Sequence, residues 1–355
     1  MKLLDNIQKY LLWWIFGAVA LGLSAVKFFG GYGFSPLICL FAALVMIYPS
    51  LVPLSFDKVG ASLKNYRIIA FSLFVNFIVS PAAAFVLGYV FLRENPELWI
   101  GLMLLSLLPG GGMATTWALK SKADMPSAIG IIITNLFVAI LAVPPLISLA
   151  LARIMPVQGA AYSADGTCPI SVATNDALSC ARGSGVDSVK IALAIFLIVV
   201  VPLVLAYGTQ KVIKKQKGAE YFESIKGSFG KISNLGLVLV LVALMALGSN
   251  EVIFSNPAMI ARSSIPLVLF YGIVFSVSMV GYRIWKKSDK GKSLVWGSYL
   301  RYVTLALGMA ISLVFQNPAL SASIVIIVMS YFIQIPTSAW LARYFEKTGN
   351  NLIGN

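Results

Sequence analysis

"LLPGGGMATTWALK", Leu107 to Lys120, interrupts an apolar stretch with a proline and three glycines. Such a run breaks a helix, because proline removes a backbone donor and glycine is a poor helix former. Apolar residues nonetheless continue on both sides. The fold therefore turns on why a helix should be broken there.

The surroundings read as membrane. Of 355 residues 59% are hydrophobic and 11% charged, against roughly 45–50% apolar usage in soluble domains. Apolar runs of about 20 residues, long enough to cross a hydrocarbon layer ~30 Å thick, recur about ten times. Their approximate bounds are 10–29, 35–54, 68–92, 98–120, 125–152, 188–210, 232–250, 264–285, 298–319 and 322–345. The runs are continuous rather than alternating, which selects helices over a barrel.

The formal charge of +14 is concentrated in alternate loops, around Lys58, Lys64 and Arg67, Lys120 and Lys122, Lys211 to Lys231, and Arg283 to Lys292. By the positive-inside rule these loops and both termini are cytoplasmic, and the expected location is the inner (plasma) membrane. A basic balance spread this way points to lipid headgroups, not nucleic acid. The first span is too long for a secretory h-region. The polar loop 153–187 falls outside, where Cys168 and Cys180 are expected to form a disulfide. With no histidine in the chain, zinc sites and general acid–base chemistry lack their commonest residue, so no enzyme is expected.

The long external loop divides the spans into two sets of five. An odd number per half gives the halves opposite orientations, as in inverted-repeat transporters. The ninth span contains "MAISLVFQNPALSAS", 309–323, in which Gln316, Asn317 and Pro318 supply a second interruption. Interrupted segments at corresponding places in two halves point to a midplane binding site, where half-helix N-termini face an anion and unwound carbonyls face a cation. The substrate-binding candidates are accordingly Gly111, Gly112, Thr115, Thr116, Gln316 and Asn317.

"LLPGGGMATTWALKSKADMPSAIGIIITNL" resembles the fourth and fifth helices of the bile acid:sodium symporter superfamily, and "SLVFQNPALSASI" resembles its ninth. The resemblance implies an all-α polytopic membrane protein of ten transmembrane helices, arranged as two inverted five-helix repeats with crossed broken helices four and nine. It further implies panel helices in 1–67 and 188–250, core helices in 68–152 and 264–345, the external loop 153–187, and a cytoplasmic tail 346–355. Carried over by position, the family's ion ligands fall on Asn76, Thr115, Ser312 and Gln316, with Asn135 a further candidate. Five positions depart from the pattern. Ala114 and Thr115 replace a Ser-Asn pair, Ser312 replaces an acid, and Ala128 and Ile132 replace two hydroxyl residues. Without the acid, the usual two-sodium site is not expected.

Of the remaining polar residues, Gln334 reads as interhelical glue and Arg301 as a residue snorkelling near the cytoplasmic surface. Trp13, Trp14, Trp99, Trp296 and Trp340 read as interface anchors, and Trp117 as a space-filler between core and panel. The resulting expectation is a secondary transporter that moves a small organic anion by alternating access between the two breaks. No cofactor is expected, and sodium is the one candidate ion. The competing readings are a conventional sodium/organic-anion symporter, an arsenite-type efflux permease disfavoured by the lack of a cysteine in the fourth helix, and a channel or membrane sensor.

Overall fold

The computed structural model describes residues 2–29, 36–53, 65–154, 188–245, 257–316 and 318–351. Cys168, Cys180 and Asn317 lie outside them, as does nearly all of the expected external loop. The chain is an all-α polytopic membrane protein. Five described helices are long and apolar enough to cross a bilayer, among them Tyr66–Phe91, Met125–Ile154 and Ala261–Ile284.

In chain order the helices are α1 Lys2–Lys9, α2 Leu11–Phe29, α3 Pro36–Leu51, α4 Tyr66–Phe91, α5 Pro96–Leu107, α6 Gly112–Lys120, α7 Met125–Ile154 and α8 Ser188–Lys217. They continue as α9 Ala219–Met245, α10 Pro257–Ile284, α11 Asp289–Tyr299, α12 Val303–Gln316 and α13 Ser323–Asn351. Helices α1, α2, α3 and α8 pack on α9. In the rest of the molecule α4, α11 and α13 pack on α10, and α5 packs on α4, α7 and α13. The contacts between these groups run from α8 to α7 and α12, from α3 to α12, and from α2 to α13, where Phe16 stacks on Phe332.

Two local features explain departures from the expected span bounds. The basic segment 211–231 is helical: α8 and α9 meet at Gly218, whose φ of +89° suits glycine and few other residues. The ninth span begins well before residue 298. Ser288 caps α11 by accepting from the Gly291 N–H at 3.3 Å, with Asp289 in the first turn.

Helix α4 contains a π turn at Val75–Val79, just ahead of Pro81, and Asn76 sits in it fully buried. A π turn widens a helix locally and commonly marks a functional position. Gly101 lets α5 approach α13 closely, since a Cβ there would lie 2.4 Å from the Ser323 carbonyl oxygen.

Two helices are interrupted. Helices α5 and α6 have 12 and 9 residues, about 18 and 14 Å of helix, and neither alone crosses a ~30 Å layer. The pair α11 and α12, of 11 and 14 residues, is built the same way. Each interruption therefore falls near the middle of the bilayer.

Candidate functional site

The two interruptions meet. Pro109 and Arg301 pair as an isolated antiparallel bridge, and the Tyr302 N–H donates to the Leu108 carbonyl at 3.3 Å. The partner of the Pro-Gly-Gly-Gly break is thus Leu300–Arg301–Tyr302.

The expected partners, Gln316 and Asn317, are not the residues that meet the first break, and Asn317 lies outside the described residues. Helix α12 runs unbroken to Gln316, 14 residues or about 20 Å beyond the crossing. Pro318 opens a 3-10 turn, Pro318–Ala322, that leads into α13. The proline there starts a helical segment, a position it tolerates well.

Arg301 is likewise not at the surface. It is only 2% exposed, and its guanidinium is held by neutral oxygens. Nη1 donates to Asn76 Oδ1 at 3.0 Å and to the Ser106 carbonyl at 3.3 Å, while Nη2 donates to the Ser298 carbonyl at 2.8 Å. The Phe270 ring lies 5.7 Å from the guanidinium carbon, within cation–π range. Among the described residues Arg301 has no carboxylate partner.

Gln334 does more than join helices, because it supplies the hydrogen bonds that the interrupted backbone lacks. Its Oε1 accepts from the Arg301 N–H at 2.9 Å, and its Nε2 donates to the Arg301 carbonyl at 3.2 Å. The Tyr271 hydroxyl also donates to Gln334 Oε1, at 3.0 Å. Broken backbone at membrane depth is stable only when its polar groups are satisfied inside the protein, and one amide side chain meets that need here.

A cavity of about 800 Å³ opens onto the crossing. Gly111, Gly112, Thr115 and Thr116 line it, as expected, together with Trp117, Lys120, Arg301, Tyr302 and Tyr331. Two of the glycines are required by close approach. A Cβ on Gly111 would stand 2.6 Å from the Tyr302 ring, and one on Gly112 would stand 2.9 Å from the Ser50 carbonyl oxygen. Tyr302 is itself fixed by a hydrogen bond between its hydroxyl and Ser50 on α3.

The ion-ligand candidates separate. Asn76 and Asn135 meet at Ser72 Oγ, which accepts from their amides at 3.3 and 2.8 Å. Thr115 Oγ1 is committed to the Gly112 carbonyl at 2.7 Å. Ser312 is buried about two and a half turns along α12, away from the break.

Among the described residues, three buried groups on cavity-lining side chains have no hydrogen-bond partner: Trp117 Nε1, Arg301 Nε and the Tyr331 hydroxyl. All three can donate. The ionic side chains on the wall are Lys120, Lys226, Arg301 and Glu223, and Glu223 pairs with Lys226 at 3.6 Å. Trp117 stacks on Trp296 at 6.0 Å, and Lys120 Nζ sits 4.6 Å from the Trp117 ring centre. Trp296 and Trp99, expected as interface anchors, are buried at 0% and 6% exposure because their half-helices are enclosed by other helices. Trp13 and Trp340 are exposed, as anchors should be.

Sequence reasoning placed Arg301 near the surface and missed its burial at the crossing. The available signal was an ionisable residue inside an apolar run, which in a membrane protein is a functional position by default.

The profile of the Sodium Bile acid symporter family matches residues 37–255, which include the first break and stop short of the second. An arsenical-resistance protein, Acr3, of Corynebacterium glutamicum is 26% identical, covering 78% of this chain and 72% of that protein. The Acr3 of Alkaliphilus metalliredigens is 23% identical, covering 86% of this chain and 80% of its own. An uncharacterized transporter of Synechocystis is 22% identical, covering 97% and 90%.

Proposed function

Since the chain belongs to the Sodium Bile acid symporter family and is a membrane transporter rather than an enzyme, we propose that it moves a small organic anion by alternating access. The substrate is held where the two interrupted helices cross. The observation that carries this reading is the set of unpartnered donors: Trp117 Nε1, Arg301 Nε and the Tyr331 hydroxyl belong to residues lining one cavity. A buried donor without an acceptor costs free energy; these donors lie just behind the cavity surface, so a substrate's acceptor oxygens relieve that cost once the wall side chains turn toward it.

The helix ends favour the same charge. Helices α6 and α12 begin at the crossing, and the opening N–H groups of a helix present the positive end of its dipole. Three cationic side chains against one carboxylate on the cavity wall add to it. The cavity takes in Lys120 and Lys226, which the positive-inside rule assigns to the cytoplasmic side, and this supports a cavity facing that side.

The relatives named for arsenical resistance suggest a second substrate, trivalent arsenic. That centre favours soft thiolate ligands. No cysteine occurs between Pro96 and Lys120, and none lines the cavity among the described residues. Arsenite at neutral pH is also uncharged, so the positive wall gains nothing from it.

Thermal melting of the purified protein tests the choice, with acetate, succinate, taurocholate below its micelle concentration, phosphate and arsenite as probes. A ligand at a hundredfold its Kd stabilises the native state by about 2.7 kcal/mol. A carboxylate or sulfonate is expected to raise the melting temperature and arsenite to leave it unchanged. Stabilisation by arsenite alone would overturn the reading.

A further inference from the structure

Two half-helices end at the crossing, and their C-terminal carbonyls converge on one cation. Ser106 lies one residue from the end of α5, and Ser298 lies one residue from the end of α11. The last carbonyls of a helix have no intrahelical donor and carry the negative end of its dipole. Both serine carbonyls accept from the Arg301 guanidinium, and Asn76 Oδ1 accepts beside them. Two carbonyl oxygens at half-helix C-termini and one amide oxygen from the π turn of α4, deep in the membrane, form the type of shell that holds an alkali cation in secondary transporters.

We infer that Arg301 is a tethered cation occupying this shell, so that the protein binds and moves its substrate without sodium. The inference rests on the transporter reading and names its ion coupling. The residues present do not fit a free sodium ion as well as the guanidinium. The three oxygens are already engaged at 2.8–3.3 Å, and a second cation among them would face the fixed charge at short range. Ser312 supplies no negative charge to offset it. Asn135 Oδ1 is buried and has no donor, but a single amide oxygen is far short of the several that a hard cation requires.

The side-chain chemistry explains why arginine suits the role. Its planar fork presents several donors at fixed angles, and it stays charged inside a protein. Lysine would offer the same charge as a point and would reach fewer of the three oxygens at once.

The test uses full-length protein in detergent and chloride salts only, with no organic anion present, so its outcome is independent of whether the substrate reading holds. Melting temperatures are compared in choline, potassium and sodium chloride at equal ionic strength. Wild type is expected to melt at the same temperature in all three. Arg301→Ala is expected to melt lower in choline and to be raised by sodium or by methylguanidinium, which enter the vacated shell. Arg301→Gln is the second variant if the alanine variant does not survive extraction, and the wild-type comparison needs neither. Stabilisation of wild type by sodium over potassium and choline overturns the inference. So does a folded Arg301 variant that responds to none of the cations.

Discussion

Arg301→Ala is expected to reduce transport at least about a hundredfold, equivalent to ~2.7 kcal/mol in the barrier, while leaving the protein extractable and folded. The three guanidinium hydrogen bonds are lost with the side chain. At roughly 0.6 kcal/mol per bond in a bilayer the total is about 2 kcal/mol, and removing a buried charge offsets part of it. That is too little to unfold a helical core in which Leu305, Ile324 and many other apolar side chains are fully buried. The functional loss is larger because the same change removes a positive charge from the cavity wall. Arg301→Lys keeps the charge and is expected to retain part of the activity. Uptake into proteoliposomes of whichever anion stabilises the protein most, beside a melting curve for each variant, separates the two effects. Near-normal uptake by Arg301→Ala would remove the residue from the mechanism.

Gly111→Ala is expected to be the most damaging of the small substitutions at the first break. Its Cβ would lie 2.6 Å from Tyr302 Cδ1 and Cε1 and 2.7 Å from Cγ, against the near edge of the ring. The ring cannot swing away cheaply. Tyr302 is 5% exposed, its hydroxyl is bonded to Ser50, and its N–H is bonded to Leu108. Overpacking of this kind costs about 1–3 kcal/mol, and here it acts on the contact that seats one interrupted helix on the other. A lowered melting temperature together with an uptake rate reduced about tenfold is the expected result. Gly110→Ala is the internal comparison. Its Cβ would meet atoms at 3.1–3.3 Å, a smaller intrusion, so its effect should be the weaker of the two. Equal effects at the two positions would contradict the packing argument.

The first break was legible because its chemistry is local. Proline and three consecutive glycines exclude a continuous helix wherever they occur, and the apolar flanks showed that both halves stay in the membrane. The second break was not legible in the same way. Leu300, Arg301 and Tyr302 include neither glycine nor proline, and the interruption is imposed by tertiary contacts: the bridge to Pro109 and the clamp of Gln334 on the Arg301 backbone. Gln316-Asn317-Pro318 has the residues of a break, but Gln316 is the last residue of α12 and Pro318 opens the turn into α13. Turns between helices and breaks within them use the same residue types, and only the position of the preceding helix start distinguishes them. That start carried a signal in Ser288 and Asp289, a cap followed by an acid in the first turn, although the lysines around it read as a cytoplasmic loop.

The site was legible to a comparable degree. The backbone positions Gly111 and Gly112 and the hydroxyls Thr115 and Thr116 follow from the break itself. Arg301 and Tyr331 depend on helices that arrive from the far end of the sequence. Asn76 and Asn135 were read as ligands for an ion. In the structure Asn76 Oδ1 accepts from the Arg301 guanidinium, and the Asn76 and Asn135 amides both donate to Ser72 Oγ.

The most direct measurement is a thermal-shift titration of the stabilising anion against three proteins: wild type, Gln316→Ala and the double variant Trp117→Phe with Tyr331→Phe. If the substrate sits at the crossing of Pro109 and Arg301, Gln316→Ala keeps the wild-type affinity. The double variant, lacking two donors, then binds at least about tenfold more weakly, the loss expected for ~1.4 kcal/mol of hydrogen bonding. Wild-type affinity in the double variant, with binding lost in Gln316→Ala, would place the substrate at the far end of α12 and contradict the account.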